Sequence, residues 1–192
     1  MEQWIAEAIR RSGIADGALR INWSRGSGGR GLQPPAQAKG RCWGSLHPHQ
    51  PSFQRQQVVI SERVQRWADD PLKGCKTLDY SAMVLARLEA SQAGASDVLL
   101  RSSQGGLCCG SSANLLVQEG GQWLTPPLSS GALPGVMRAR GVAMGLIQEA
   151  RLADSLPNEQ PALLLNSLDC RPLNHIAEPL AEPLFVQLLG SD

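Results

Sequence analysis

Three short segments between residues 73 and 138 carry groups that could act together in one chemical site. Lys76 stands just before a helical pattern, and residues 109–116 (CGSSANLL) form a small polar turn that leads into a strand. Residues 133–138 (LPGVMR) have the Pro-Gly start typical of a helix. A reactive amine, a polar pocket wall and the free N–H groups of a helix N-terminus are the groups that would bind a phosphate-bearing aldehyde.

The composition indicates an ordinary globular protein without a strongly charged partner. The 192 residues are enough for one domain, or for one and a fragment of another, and 42% of them are hydrophobic. The net charge of +1 gives no strong attraction to nucleic acid or acidic lipid. The segment at Met1 lacks the apolar core of a signal peptide, and no apolar run approaches a membrane span in length. We therefore expect a cytoplasmic protein whose partners include neither nucleic acid nor membrane.

The cysteines and histidines do not predict a metal site. Five cysteines are an odd number, and Cys108 and Cys109 are adjacent without a second C-x-x-C pair that would complete a zinc site. His47 and His49 flank a proline, and neither adjoins a carboxylate or a thiol. Reduced thiols in a cytosol are the simplest interpretation.

Hydrophobic periodicity predicts a mixed α/β fold. Helices are predicted over residues 2–12, where Gly13 is the stop, from the residues after Lys76 to Gly94, and over residues 133–145. Strands are predicted in nine apolar or alternating segments, namely residues 17–26, 41–47, 56–62, 97–102, 107–110, 113–118, 120–128, 146–152 and 161–168. The proline-containing tail receives no assignment.

Residues 26–31 (GSGGRG) match the G-x-G-x-x-G pattern of dinucleotide-binding proteins only formally. That pattern must open a helix, whereas two prolines, Pro34 and Pro35, follow closely here. The same residues resemble an Arg-Gly segment that binds single-stranded nucleic acid, but one copy without interleaved aromatic residues is weak support. A hairpin tip is the favoured interpretation.

The order of these segments resembles that in the class IV aminotransferases. These pyridoxal-phosphate enzymes include branched-chain and D-amino acid aminotransferases and aminodeoxychorismate lyase. The resemblance covers most of the chain and rests on the Arg-Gly hairpin (Ser24–Gly26 and Arg30–Gly31), the lysine motif (Lys76–Tyr80), the turn Ser111–Leu115, the pair Thr125–Pro127 and Leu133–Arg138, and the strand end Asn166–Leu168. Met137 before Arg138 and the NSL turn look most like the lyase branch.

The resemblance implies an α/β fold like that of D-amino acid aminotransferase, in a homodimer. Residues 1–70 would be the remnant of an N-terminal small α/β domain, and residues 71–192 would form the pyridoxal-phosphate-binding domain. The family begins with a longer small domain that supplies a phosphate-binding arginine. Met1 falls inside that domain, which implies that its first strands and that arginine are missing here.

The resemblance also implies roles for five residues around the cofactor. Lys76 would form the imine with the cofactor aldehyde and then move protons at the substrate α-carbon, and burial would favour the neutral, nucleophilic amine. Tyr80 would bond the phenolate oxygen of the cofactor. The backbone N–H groups of Val136 and Met137, with the hydroxyl of Ser167, would bind the phosphate. The alternatives are a surface lysine at position 76, the competing amine of Lys73, a core tyrosine and a plain turn at the serine.

Four further residues complete the implied site. Asn114 matches the asparagine of the cofactor wall, and Arg25 and Arg30 could meet a substrate carboxylate. The family places a glutamate five residues before that asparagine, and the position is Cys109 here. A carboxylate there would keep the pyridine nitrogen protonated, whereas a neutral thiol holds that proton less well.

This departure favours a lyase over an aminotransferase, because elimination demands less electron storage in the cofactor than full amino transfer. The first hypothesis is therefore a pyridoxal-phosphate-dependent aminodeoxychorismate lyase, which releases pyruvate from 4-amino-4-deoxychorismate and leaves 4-aminobenzoate for folate. An amino acid aminotransferase of the same class is the second hypothesis. A truncated, non-catalytic member of the family is the third.

Overall fold

The computed structural model describes residues 1–156 and 158–190, and it divides into two compact units. The first unit is Met1–Gln50, and the second begins at Pro51. The sequence places its domain boundary near residue 70 instead. Residues 58–66 form a strand that pairs within the sheet of the second unit. The boundary between the units therefore lies nearer the N-terminus than the predicted one. The assignment of the units to a small domain and a cofactor domain remains a prediction.

The first unit contains one helix and one two-stranded ribbon. Helix α1 (Glu2–Ser12) ends at Gly13, whose φ of 67° is the left-handed conformation that favours glycine. Strands β1 (Gly17–Ser24) and β2 (Arg41–Pro48) pair antiparallel. Residues 25–40 connect them without a helix, as expected for a hairpin and not for a dinucleotide-binding motif.

The second unit is built on an eight-stranded mixed sheet. Its strands are β3 (Val58–Arg66), β4 (Asp97–Ser102), β5 (Leu107–Gly110), β6 (Asn114–Glu119), β7 (Gln122–Thr125), β8 (Ile147–Glu149), β9 (Ala162–Leu165) and β10 (Cys170–Pro172). The main order is β10-β9-β6-β5-β4-β3, and β7 joins β6 to β8. The predicted strands of this unit are all present, and the short β10 is an addition. The mixed α/β fold class is thereby confirmed.

Three helices and one short 3-10 turn accompany the sheet. They are α2 (Ser81–Gln92), the 3-10 turn Leu128–Ser130, α3 (Val136–Ala143) and α4 (Glu178–Leu189). Successive leucines of β6 and β9 enter different apolar clusters, so the sheet is buried on both faces. None of the helices in the described part of the chain is long and apolar enough to cross a membrane.

Helix α4 is the helix that the sequence did not predict. Pro183 lies inside it, and a proline in a helix interior removes one hydrogen bond at a cost of about 3 kcal/mol. The helix nevertheless buries Leu184, Phe185 and Leu188, and the ring of Phe185 lies 5.7 Å from that of Phe53 in an edge-to-face contact. Burial of these side chains offsets the cost of the proline.

Candidate functional site

The start of α3 presents free backbone donors. Gly135 caps the helix in an extended conformation (φ −63°, ψ 143°), and the N–H of Ala139 is the first to bond back, to the carbonyl of Gly135 at 2.9 Å. The N–H groups of residues 136–138 therefore have no partner within the helix. Free donors and the helix dipole make this end suitable for an anion such as phosphate.

Asn114 fixes the position of this helix start. Its side-chain Nδ2 donates to the carbonyl of Leu133 at 2.9 Å, and the residue is only 7% exposed. A Cβ atom on Gly135 would lie 2.1 Å from Asn114 Oδ1, so the close approach requires glycine at the cap. Asn114 and the start of the predicted phosphate-binding helix are thus in direct contact, and residues 109–114 are called the wall below.

Two more of the predicted residues, Cys109 and Ser167, lie on or just after the strands that flank the start of β6. Asn114, its first residue, pairs with Cys109 of β5 on one side and with Leu165 of β9 on the other. Ser167 follows the end of β9 and is exposed. The preceding residue, Asn166, accepts the N–H groups of residues 168 and 169 in a tight turn, which holds Ser167 next to the wall.

Cys109 is a neutral group in this wall. Its side chain is buried, and the thiol of its neighbour Cys108 lies 3.5 Å from the carbonyl of Ser130. The hydrogen bond from Cys109 lowers the pKa of Cys108. The same bond, together with burial, raises the pKa of Cys109 well above its ordinary value. Cys109 therefore carries no charge at neutral pH.

Lys76 and Tyr80 lie on the segment that connects β3 to α2. Lys76 is exposed rather than buried, and Tyr80 is the cap of α2 with 36% of its surface exposed. The competing amine, Lys73, donates to the carbonyl of Ala68, which is fully buried. The structure therefore distinguishes the two lysines, since one amine is tied to the backbone and the other is accessible.

The two arginines predicted to meet a substrate carboxylate belong to the first unit, and their role stays a prediction. Arg25 and Arg30 are exposed in the loop of the first unit. Arg138 is 4% exposed; it donates to the carbonyl of Pro126 at 2.8 Å and pairs with Glu149. Arg138 thus ties α3 to its neighbours.

Sequence reasoning missed one pair at the wall, a buried carboxylate and a half-buried serine. Ser111, in the turn between β5 and β6, donates to the Oδ1 of Asp97 at 2.6 Å. Asp97 opens an apolar strand and is fully buried. An aspartate at the start of an apolar strand is the signal that could have identified it, because a buried carboxylate is retained only with partners.

Comparisons with known proteins identify the family of the chain. The family model described as "Amino-transferase class IV" matches residues 1–176. A provisionally named branched-chain-amino-acid aminotransferase of Methanocaldococcus jannaschii is 28% identical over 136 residues, which is 70% of this chain and 47% of that protein. A provisionally named aminodeoxychorismate lyase of Schizosaccharomyces pombe is 36% identical over 85 residues, which is 42% of this chain and 37% of that protein.

A solved structure shows the same fold. It is that of a provisionally named 4-amino-4-deoxychorismate lyase from Legionella pneumophila, with a TM-score of 0.85 and 21% identity, over 97% of this chain and 74% of that one. The matches span less than half the length of the two curated relatives. With the family match over nearly the whole sequence and the shared fold, the chain belongs to the class IV aminotransferases, a family of pyridoxal-phosphate-dependent enzymes.

Proposed function

We propose that the chain is an aminodeoxychorismate lyase, which forms pyruvate and 4-aminobenzoate from 4-amino-4-deoxychorismate in the cytoplasm. The observation that carries the proposal is the neutral Cys109, which pairs with Asn114 in the wall beside the start of α3. The similarity to the Schizosaccharomyces pombe protein and the LPGVMR segment support the lyase branch.

The residues at the wall fit pyridoxal phosphate. The close contact of Gly135 with Asn114 leaves no room for a side chain at position 135. The free N–H groups of residues 136–138 follow directly in the chain. Ser167 adds an exposed hydroxyl at the same edge of the sheet. These donors would hold the phosphate, and Asn114 would hold the donors in place. The bound cofactor supplies an aldehyde that captures the substrate amine and a ring that withdraws electrons from the α-carbon.

The side chains of this chain would then perform the proton transfers. Bound cofactor and substrate would cover the exposed side chain of Lys76 and so favour its neutral amine, which would take a proton from the substrate α-carbon and return one to the product. Cys109 would face the ring without a negative charge, so it would not strongly hold a proton on the ring nitrogen. Elimination, which expels a leaving group, tolerates this better than full amino transfer, which must store the electron pair.

Product analysis tests the proposal. The purified protein with added pyridoxal phosphate should show a visible absorbance band and release pyruvate from 4-amino-4-deoxychorismate. Amino transfer to a keto acid should be slower than this release. Faster amino transfer would instead support an amino acid aminotransferase, the alternative favoured by the similarity to the Methanocaldococcus jannaschii protein. A band without either product, or no band at all, would favour a non-catalytic member.

Replacing Cys109 with glutamate should change the balance between the two reactions. A carboxylate would favour protonation of the ring nitrogen, and a tenfold change in that protonation equilibrium corresponds to about 1.4 kcal/mol. We expect Cys109→Glu to raise amino transfer relative to pyruvate release severalfold. Cys109→Gln, which has the same shape without the charge, is the matched control. An unchanged ratio with equal cofactor binding would show that Cys109 does not set the chemistry.

A homodimer is part of the proposal. Helix α2 leaves Val84, Leu85 and Leu88 each more than half exposed, and such an apolar face is suited to an interface. Sedimentation equilibrium should show a dimer that Leu85→Asp weakens, because the new charge would lose water on association. Ser91→Asp on the same helix is the control. A monomer at all concentrations, or equal effects of the two variants, would contradict this part.

A further inference from the structure

We propose that Asp97 is a positioning residue for the cofactor wall, acting through the hydroxyl of Ser111. The proposal rests on the proposed cofactor site. It adds that a buried carboxylate outside the site sets where the turn between Cys109 and Asn114 lies, and so how tightly the phosphate end of the cofactor is bound.

Asp97 has the burial and the contacts of a residue with such a role. It is fully buried, and its Oδ1 accepts the Ser111 hydroxyl at 2.6 Å and the N–H of Val98 at 2.8 Å. The guanidinium of Arg87 lies 3.2 Å from the same oxygen. The second oxygen, Oδ2, is buried with no hydrogen-bond partner among the described residues. Burial of a carboxylate costs free energy, and the hydrogen bond from Ser111 offsets part of that cost.

The turn that Ser111 belongs to has little freedom. It is closed by the N–H of Gly110, which donates to the carbonyl of Ala113 at 2.9 Å. A Cβ atom on Gly110 would lie 2.8 Å from the Cδ2 atom of Leu164, so the turn lies directly on β9. The other side-chain tether, from Asn166 Nδ2 to the carbonyl of Ser112, is 3.5 Å long and correspondingly weak. The bond from Ser111 to Asp97 is therefore the short side-chain tether of the turn.

A shift of this turn would reach the phosphate-binding end of α3 in two steps. The turn joins Cys109 directly to Asn114, and these two residues pair with each other. Asn114 in turn bonds to the carbonyl of Leu133 and contacts Gly135, the cap of α3. Loss of the tether at Ser111 should thus loosen Asn114 and the helix start, with no direct contact to the cofactor.

The test compares Ser111→Ala with Ser112→Ala, the exposed neighbour in the same turn. For each variant, the dissociation constant of pyridoxal phosphate, the position of its visible band, the affinity for inorganic phosphate and the Tm of the unloaded protein are measured. We expect Ser111→Ala to weaken both affinities at least threefold and to shift the band. Its Tm should fall only modestly below that of Ser112→Ala, because the N–H of Val98 and the guanidinium of Arg87 still contact the same carboxylate oxygen. Ser111→Thr, which keeps the hydroxyl, should restore them.

The substitution Asp97→Asn tests whether Asp97 is the residue with which the Ser111 hydroxyl acts. The effect of Ser111→Ala on cofactor affinity should be smaller in the Asp97→Asn background than in the wild type, because the charged acceptor is already gone. Wild-type affinity and band in Ser111→Ala, losses equal to those of Ser112→Ala, or full additivity with Asp97→Asn would each overturn the inference. A wild-type protein that binds the cofactor but forms no pyruvate would overturn the proposed reaction alone, and the comparison at Ser111 would still decide this inference.

Discussion

Replacing Lys76 with alanine is expected to abolish covalent capture of pyridoxal phosphate and to lower pyruvate release by roughly a thousandfold, the range typical of a lost acid–base group. Of the two lysine amines in the segment before α2, that of Lys76 is exposed and accessible. Borohydride reduction of the wild-type complex followed by peptide mass mapping should place the adduct on Lys76.

Lys73→Ala is the matched control for that experiment. The amine of Lys73 is bonded to the backbone at Ala68, so its removal should leave the adduct in place. An adduct mapped to Lys73, or full activity in Lys76→Ala, would show that Lys76 is not the lysine that binds the cofactor. A small loss of stability in Lys73→Ala is compatible with the assignment, because the residue helps to hold the segment before α2.

The substitution Gly135→Ala should have the second largest effect. The new methyl group would lie 2.1 Å from Asn114 Oδ1, and either the helix start or the wall residue must move. Such overpacking costs about 2 kcal/mol. We expect the unloaded protein to lose stability and the affinity for pyridoxal phosphate to fall by roughly one to two orders of magnitude, at about 1.4 kcal/mol for each factor of ten.

The control for this variant is Gly74→Ala, because a Cβ atom there meets nothing within 4 Å. Gly135 has an extended backbone that any residue adopts, so conformational strain does not contribute to the expected loss. The double variant Asn114→Ala, Gly135→Ala should be more stable than the sum of the single changes predicts, since the clash is gone. If Gly135→Ala behaved like Gly74→Ala in urea unfolding and cofactor titration, the contact would not matter.

The strands could be predicted because their signal is local. Residues 97–102 and 161–168 are apolar runs bounded by turn residues, and each contains a strand, β4 or β9. Helix α4 could not be predicted, because Pro183 argues against a helix and only the packing of Phe185 and its neighbours outweighs it. Local propensity is a poor guide wherever tertiary contacts supply the stability.

In the candidate site, too, local features could be predicted and tertiary contacts could not. The helix start at Gly135 and the strand start at Asn114 could be predicted from short motifs, although their contact could not. The pair of Asp97 and Ser111 has no periodic signal, since it joins the start of one strand to a turn beyond the next. The exposure of Lys76 also depends on the path of its segment, which residue types alone do not determine.

The position of β6 in the sheet has a consequence for how the chain is made. This strand pairs with β5 and β7, which lie close to it in sequence, and also with β9, which is far downstream. On the ribosome, the apolar residues 115–117 therefore emerge long before their partners in β9. One edge of β6 stays open during that interval, and such an edge invites pairing with other nascent chains. Chaperone protection during translation should therefore matter more for this strand than for the locally paired ribbon of β1 and β2.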